Sequence, residues 1–226
     1  MSKVRNYLSG LLLSVALASC TTDAYDKGEG KYSLMRGEFV EAYADEYKHI
    51  PYITTDDGEL LPLLQDFTAN WVTTADSTYR CRVYYNKVTQ LDGSTRADII
   101  SMGLLPTFKL LPPEKFEDGV KTDPVHFESI WKSKTGKYIN LSLRLMTGVA
   151  DDEEAVQSLG MVDDGTVTRT DGKRVRCVRL YHDQGNVPEY YTTKAYSCFA
   201  LEDIDADSVQ VTLNTYKGVI VRCIAR

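Results

Sequence analysis

Histidine is scarce in this chain. Only His49, His126 and His182 occur. They fall on three separate segments, so no metal-ligand spacing forms and no His-Glu-x-x-His is present. There is no Cys-x-x-Cys, which removes zinc-ribbon and thioredoxin-type sites. There is no Gly-x-Ser-x-Gly, and Gly28-Glu29-Gly30 fails as a dinucleotide fingerprint because Ser33 stands where the third glycine belongs. His126-Phe127-Glu128 matches half of a zinc-deaminase signature whose Pro-Cys-x-x-Cys half is missing. A strand residue is the better reading of His126. Acidic pairs at Asp56-Asp57, Asp151-Asp152-Glu153-Glu154 and Asp163-Asp164 lack the ligand register of a calcium loop and read as solvated turns. No catalytic residue, metal ligand or cofactor is therefore expected, and the chain reads as a non-enzyme. A Ser/His/Asp set assembled in space is recognised by geometry, not by order, and stays open.

Basic charge is also short. The chain has 26 Lys and Arg against 32 Asp and Glu, a net charge of −6. The deficit is even, at −3 over 31–110 and −3 over 111–226. Neutralised phosphates supply most non-specific nucleic-acid affinity, so a nucleic-acid partner is not expected. No apolar run approaches the roughly 20 residues that span a bilayer. No long apolar stripe repeats at the helical period, and the best helix candidate is a short one over 63–69.

What is present begins at the N-terminus. Lys3 and Arg5 precede a short apolar run over 7–18, followed by Leu17-Ala18-Ser19-Cys20. This is the pattern of a bacterial lipoprotein leader (1–19), cut so that Cys20 becomes the acylated N-terminus. An ordinary secretory signal is the other reading, since Ala16-Leu17-Ala18 also fits small-residue cleavage. Each buried CH₂ of an acyl chain contributes about 0.8 kcal/mol, so two or three chains make a stable anchor. Loss of Lys3 and Arg5 with the leader takes the net charge from −6 to −8. Thr21 is not an acidic retention residue, which favours the outer membrane. The residues do not choose between its periplasmic and cell-surface faces. Residues 20–31 are small and polar and read as a flexible tether.

Beyond the tether the period is two. Tyr79, Cys81, Val83 and Tyr85 alternate with polar residues, as do Ile139, Leu141, Leu143 and Leu145, then Val209, Val211 and Leu213, then Val219, Val221 and Cys223. Such alternation puts one face in a core and the other in water. Turn signals separate the runs: Asp56-Asp57-Gly58, Asp92-Gly93, Thr135-Gly136, Asp163-Asp164-Gly165 and Asp171-Gly172. Short strands at this spacing indicate an all-β sandwich or barrel. The stiff stretch Leu110-Leu111-Pro112-Pro113-Glu114 reads as the domain joint. Cys81, Cys177, Cys198 and Cys223 would sit in an oxidising compartment. Cys177 and Cys198 flank an expected hairpin turn over 183–189, and a disulfide there would add about 3 kcal/mol in the chain-entropy model. The alternative is four buried thiols. Tyr84-Tyr85 and Tyr190-Tyr191 are adjacent pairs, so one tyrosine of each should be exposed, either packing across strands or offering a surface to sugars or peptides.

From about Tyr32 onward the chain resembles the NigD-like lipoproteins of Bacteroidota. The resemblance rests on Cys20, on the run from Ile53 to Pro62 around Thr54-Thr55-Asp56-Asp57-Gly58, and on Tyr79-Arg80-Cys81-Arg82-Val83-Tyr84-Tyr85. It continues through residues 98–109 into Asp123-Pro124-Val125-His126-Phe127-Glu128-Ser129-Ile130-Trp131. Lys137-Tyr138-Ile139-Asn140-Leu141 and Leu180-Tyr181-His182-Asp183 complete it. The resemblance implies an N-terminal OB-like barrel (32–111) followed by a C-terminal β-sandwich (112–226). It brings no established activity and no catalytic residue. One departure is Ser77-Thr78, where the family tends to carry a glycine. The resulting expectation is a lipid-anchored, non-catalytic binding or interaction module. Its partner would be a protein, a glycan or a peptide at the envelope. The rival expectations are an envelope hydrolase and a structural subunit of an envelope complex.

Overall fold

The computed structural model describes residues 34–149 and 155–226. The leader, the tether, Cys20 and the acidic run at 151–154 lie outside the described residues. Five strands form a closed barrel in the order β1-β2-β3-β5-β4. They are β1 (Arg36–Ala44), β2 (Ile50–Thr55), β3 (Leu60–Phe67), β4 (Ser77–Thr89) and β5 (Thr95–Leu104). Every pairing is antiparallel except β3 with β5, where Leu63 lies opposite Ala97. This is the strand order of an OB-like barrel. The alternation in β4 does the expected work, since Cys81, Val83 and Tyr85 are all fully buried. Small residues at Ala42, Ala44 and Ala97 leave room in the same core for Ile50, Ile53 and the Tyr85 ring.

The segment read as a short helix, 63–69, instead continues β3 as far as Phe67. Leu61 and Leu63 point into the barrel while Leu60 and Leu64 face out. Leucine has good helix propensity, but pairing with β2 and β5 decides the conformation here. Ahead of β4, Asp76 takes the left-handed conformation (φ 47°) and accepts a hydrogen bond from Tyr43 Oη at 3.1 Å. It makes the turn just ahead of Ser77-Thr78, the first residues of β4.

Nine more strands build two sheets packed face to face. The four-stranded sheet runs β6 (Thr107–Phe108), β12 (Tyr191–Ala200), β9 (Tyr138–Thr147), β8 (His126–Lys132). The five-stranded sheet runs β14 (Gly218–Ala225), β13 (Ser208–Thr215), β11 (Arg174–Asp183), β10 (Ser158–Thr168), β7 (Leu110–Leu111). Between them lies one apolar core that includes Ile139, Leu141, Leu143, Phe199, Val209, Val211 and Leu213. The chain passes from barrel to sandwich near Leu105, ahead of the proline pair. Thr107–Phe108 already pairs with β12 and Leu110–Leu111 with β10. The stretch read as a joint thus begins as a strand of the five-stranded sheet, Leu110–Leu111, and continues into the short 3-10 turn at Pro113–Lys115.

Four of the five turn signals close hairpins, with Gly58, Gly93, Gly136 and Gly172 all at positive φ. The fifth, Asp163-Asp164-Gly165, is a bulge inside β10, where the register with β11 shifts between Asp163 and Thr166. Gly165 takes φ +89° there, the conformation such bulges ask of glycine. The two carboxylates lie in this bulge, not in a turn, and both are paired, although Asp164 stays exposed. Asp163 pairs with Arg176 and Asp164 takes both ends of the Arg179 guanidinium.

The reading of Cys177 and Cys198 as a disulfide pair across a hairpin is corrected by this topology. β11 and β12 do not pair, because the loop between them crosses from one sheet to the other. All four cysteines of the described residues are free thiols. Cys198 is buried between barrel and sandwich, whereas Cys177 is half-buried and Cys223 is exposed. The alternative of four buried thiols therefore holds for Cys81 and Cys198 only. Burial pushes the Cys81 thiol up to about 12.

A second correction concerns β14. Its core-facing residues are Ile220 and Ile224, while Val219, Val221 and Cys223 face outward. Both faces of this strand are apolar in sequence, so alternation alone could not orient it.

Candidate cleft between barrel and sandwich

Three cross-strand rungs on the outer face of β1 and β4 build the site: Glu41 opposite Arg80, Phe39 opposite Arg82, and Gly37 opposite Tyr84. Against them lie Tyr138 and Asn140 of β9, Tyr196 and Cys198 of β12, and Trp131 of β8. Because strand neighbours alternate faces, each of these side chains points away from the sandwich core and toward the barrel.

The first rung is closed. Arg80 is buried, with Nη1 2.7 Å from Asp56 Oδ1 and Nη2 donating to Asp56 Oδ2 at 2.8 Å and to Asn140 Oδ1 at 3.0 Å. Asn140 Nδ2 returns a bond to Asp56 Oδ2 at 2.9 Å. The guanidinium also lies 4.1 Å from the Tyr138 ring centroid. Burial works against the charge on Arg80, and Asp56 more than offsets it, so the guanidinium is held above its ordinary range. Tyr138 donates to Glu41 at 2.8 Å, and Lys137 reaches the other oxygen of the same carboxylate at 2.7 Å. Burial first, and the Glu41 carboxylate second, raise the Tyr138 phenol, which keeps it a proton donor. This network ties the barrel to the sandwich.

The second and third rungs open into a cleft of about 480 Å³. The Trp131 ring stacks on Phe39 with centroids 5.6 Å apart, and Tyr196 meets Phe39 edge-on at 5.5 Å. The Arg82 guanidinium sits between two rings, 4.7 Å from Tyr84 and 4.5 Å from Tyr196. Among the described residues its N–H groups meet no acceptor. Gly37 is required for this packing, because a Cβ there would lie 2.8 Å from Tyr84 Cε1. Asp57, which pairs with Lys134, supplies a carboxylate at the rim, whereas the Glu38 carboxylate turns to the inner face of β1 and accepts from Tyr85 Oη at 3.1 Å.

The other residues singled out from the sequence do not assemble. His182 is buried, with Nδ1 2.9 Å from the Asp123 carbonyl and Nε2 2.9 Å from Gln157 Nε2, so both ring nitrogens are taken by groups other than a serine. Asp183 pairs with Lys121 at 2.7 Å. His126 stacks on Tyr216 at 4.6 Å. Among the described residues no three His, Cys, Asp or Glu side chains converge as for a metal ion. No helix among them is long and apolar enough to cross a membrane, which says nothing of strands. Tyr84 lines the cleft and Tyr85 is buried, as adjacent strand residues should be, but Tyr190 and Tyr191 are both exposed. The cleft residues themselves were not legible. The signal was present in Arg80 and Arg82, the polar partners of the β4 alternation, which read as a solvent face and are instead covered by a second module.

No family model matches the chain, and no curated protein matches it. Solved structures do. A NigD-like immunity protein from Bacteroides caccae superposes with a TM-score of 0.66 at 24% identity, covering 83% of this chain and 91% of that one. The chain has the NigD-like fold. A protein of unknown function, DUF1344, from Bacteroides vulgatus gives a TM-score of 0.63 at 15% identity, over 85% of this chain and 90% of that one. A candidate lipoprotein from Bacteroides fragilis gives 0.59 at 11% identity, over 84% and 96%. The NigD-like arrangement of barrel and sandwich accounts for nearly all of the described residues.

Proposed function

We propose that this NigD-like chain is a non-catalytic binding module, held at the outer membrane by lipid on Cys20, and that it takes a glycan in the cleft between barrel and sandwich. The observation that carries the reading is Trp131. One face of its indole is spent on Phe39, yet 37% of the residue stays exposed, inside a cleft. An open indole face suits the apolar face of a sugar ring. The unpartnered Arg82 donors and the Asp57 carboxylate are placed to meet its hydroxyl groups. The leader pattern supports the anchor, as does the description of the B. fragilis neighbour as a candidate lipoprotein. The word immunity in the description of the B. caccae neighbour favours a protein ligand as the second reading.

Two measurements test this. Cys20→Ala should move the protein from the membrane pellet to the soluble fraction; retention in the pellet at high salt overturns the anchor. Titration of that soluble variant with glycans released from the envelope should shift tryptophan emission saturably. Trp131→Ala should weaken binding at least tenfold, or about 1.4 kcal/mol. Equal affinity with and without the indole overturns the assignment of the cleft, and protein ligands alone shifting the emission would favour the second reading.

A further inference from the structure

The two open sheets of the sandwich have four edge strands, β6, β8, β7 and β14. Edge strands expose unpaired backbone groups, and native proteins blunt them by shortness, bulges or charge. β6 and β7 are two residues long. β8 carries a bulge between Phe127 and Ser129, with Glu128 held by Ser142, Arg144 and Lys194. β14 is neither short nor bulged, and its one charged residue is Arg222. It runs eight residues, Gly218–Ala225, in unbroken register with β13, and contains no proline, no lysine and no acid. Val219 is 66% and Val221 48% exposed.

The free backbone groups can be assigned. Arg226 N–H donates to Asp207 O at 3.0 Å, toward β13. Backbone direction alternates along a strand, so Ile220, Arg222 and Ile224 also face β13, and Val219, Val221 and Cys223 present N–H and C=O to the open edge. The Val221 carbonyl takes only the guanidinium of its own neighbour, Arg222 Nη1, at 3.1 Å.

Charge selects the occupant. On β11, beyond β13 in the same sheet, Arg174, Arg176 and Arg179 are each paired with a carboxylate. Around β14 they are not. Arg222 lies 5.4 Å from the Phe127 ring centroid, Arg169 reaches Cys223 Sγ at 3.7 Å, and Lys217 sits in the β13–β14 turn. Among the described residues none of these three meets a carboxylate. A chain of net charge −6 thus has an edge that is locally basic. A second copy paired edge to edge would set these cations against their like.

We propose that β14 is a docking strand that captures an extended, acidic segment of a partner protein by strand addition, turning the five-stranded sheet into a six-stranded one. Backbone hydrogen bonds to Val219, Val221 and Cys223 supply the affinity, and Arg169, Lys217 and Arg222 select acidic side chains.

The test uses the intact chain and two short capped peptides, one alternating valine with glutamate and one alternating valine with lysine. The glutamate peptide should bind at least tenfold more tightly by fluorescence anisotropy. It should also slow amide exchange at Val219, Val221 and Cys223. Val221→Pro removes an outward N–H without touching the ladder to β13 and should abolish binding. Arg222→Glu leaves the backbone edge intact and should reverse the preference between peptides. Equal binding of the two peptides overturns the proposal, as does unchanged binding by Val221→Pro in a normally folded protein. A peptide-free dimer that Val221→Pro dissolves would make the strand a self-association edge and would equally overturn it.

Discussion

Arg80→Ala lowers stability by about 3–5 kcal/mol, the range for removing one partner from a buried ion pair. The guanidinium is 5% exposed and the Asp56 side chain 19% exposed, so water replaces little of what is lost. Asp56 would keep one Asn140 donor but lose its countercharge, and the Tyr138 ring would lose the cation lying against it. For a chain of this size each kcal/mol moves the melting temperature by roughly 2–4 °C, so calorimetry should show a fall of about 10 °C. The double variant Arg80→Met, Asp56→Asn removes both charges and should recover part of the loss. A coupling of about 0.5–3 kcal/mol is the range for groups in contact. A melting point for Arg80→Ala within about 2 °C of the parent would mean that this pair does not hold barrel and sandwich together.

Gly185→Ala should cost about 3 kcal/mol for a different reason. Gly185 has φ +56°, and a Cβ built on it would lie 1.9 Å from the Val156 carbonyl oxygen. An alanine in the left-handed region costs about 1–2 kcal/mol by itself, and the obstacle here is backbone, which cannot swing aside. The loop has little freedom to move. Gln184 N–H donates to Asp123 at 2.8 Å, Gln184 Nε2 to Met146 O at 3.1 Å, and Tyr190 N–H to Thr147 O at 3.0 Å. Asn186→Gly is the control. Asn186 also sits at positive φ, 62°, and glycine is at ease there, so its melting point should hold within about 2 °C. Amide exchange should show Tyr190 losing protection in Gly185→Ala and keeping it in Asn186→Gly. Equal stability of the two variants would show that the crossing loop is not sterically locked at Gly185.

The two positions differ in how much a reader of the chain could see. Arg80 lies in a segment that resembles NigD-like lipoproteins, and its alternation with Cys81 is plain. Its burial is not, because alternation says which side of a strand is apolar and nothing about what covers the polar side. Gly185 falls in the stretch 183–189, whose composition is that of a hairpin turn. Turn chemistry marks where the chain reverses but not whether it returns to the same sheet, and here it crosses to the other. The same gap explains Asp163-Asp164-Gly165, where the composition of a turn was used for a bulge whose acids meet Arg176 and Arg179.

By itself the amino-acid order determined the all-β class and the inward faces of β4, β9 and β13. Those strands have one apolar face, and burying it allows a single orientation. It left β14 undecided, since that strand is apolar on both sides, and only pairing with β13 turned Ile220 and Ile224 inward. The cleft was decided by tertiary structure alone. Phe39, Arg82, Trp131 and Tyr196 come from four strands of two modules, and their contact depends on how one folded surface packs on another, which no local periodicity encodes.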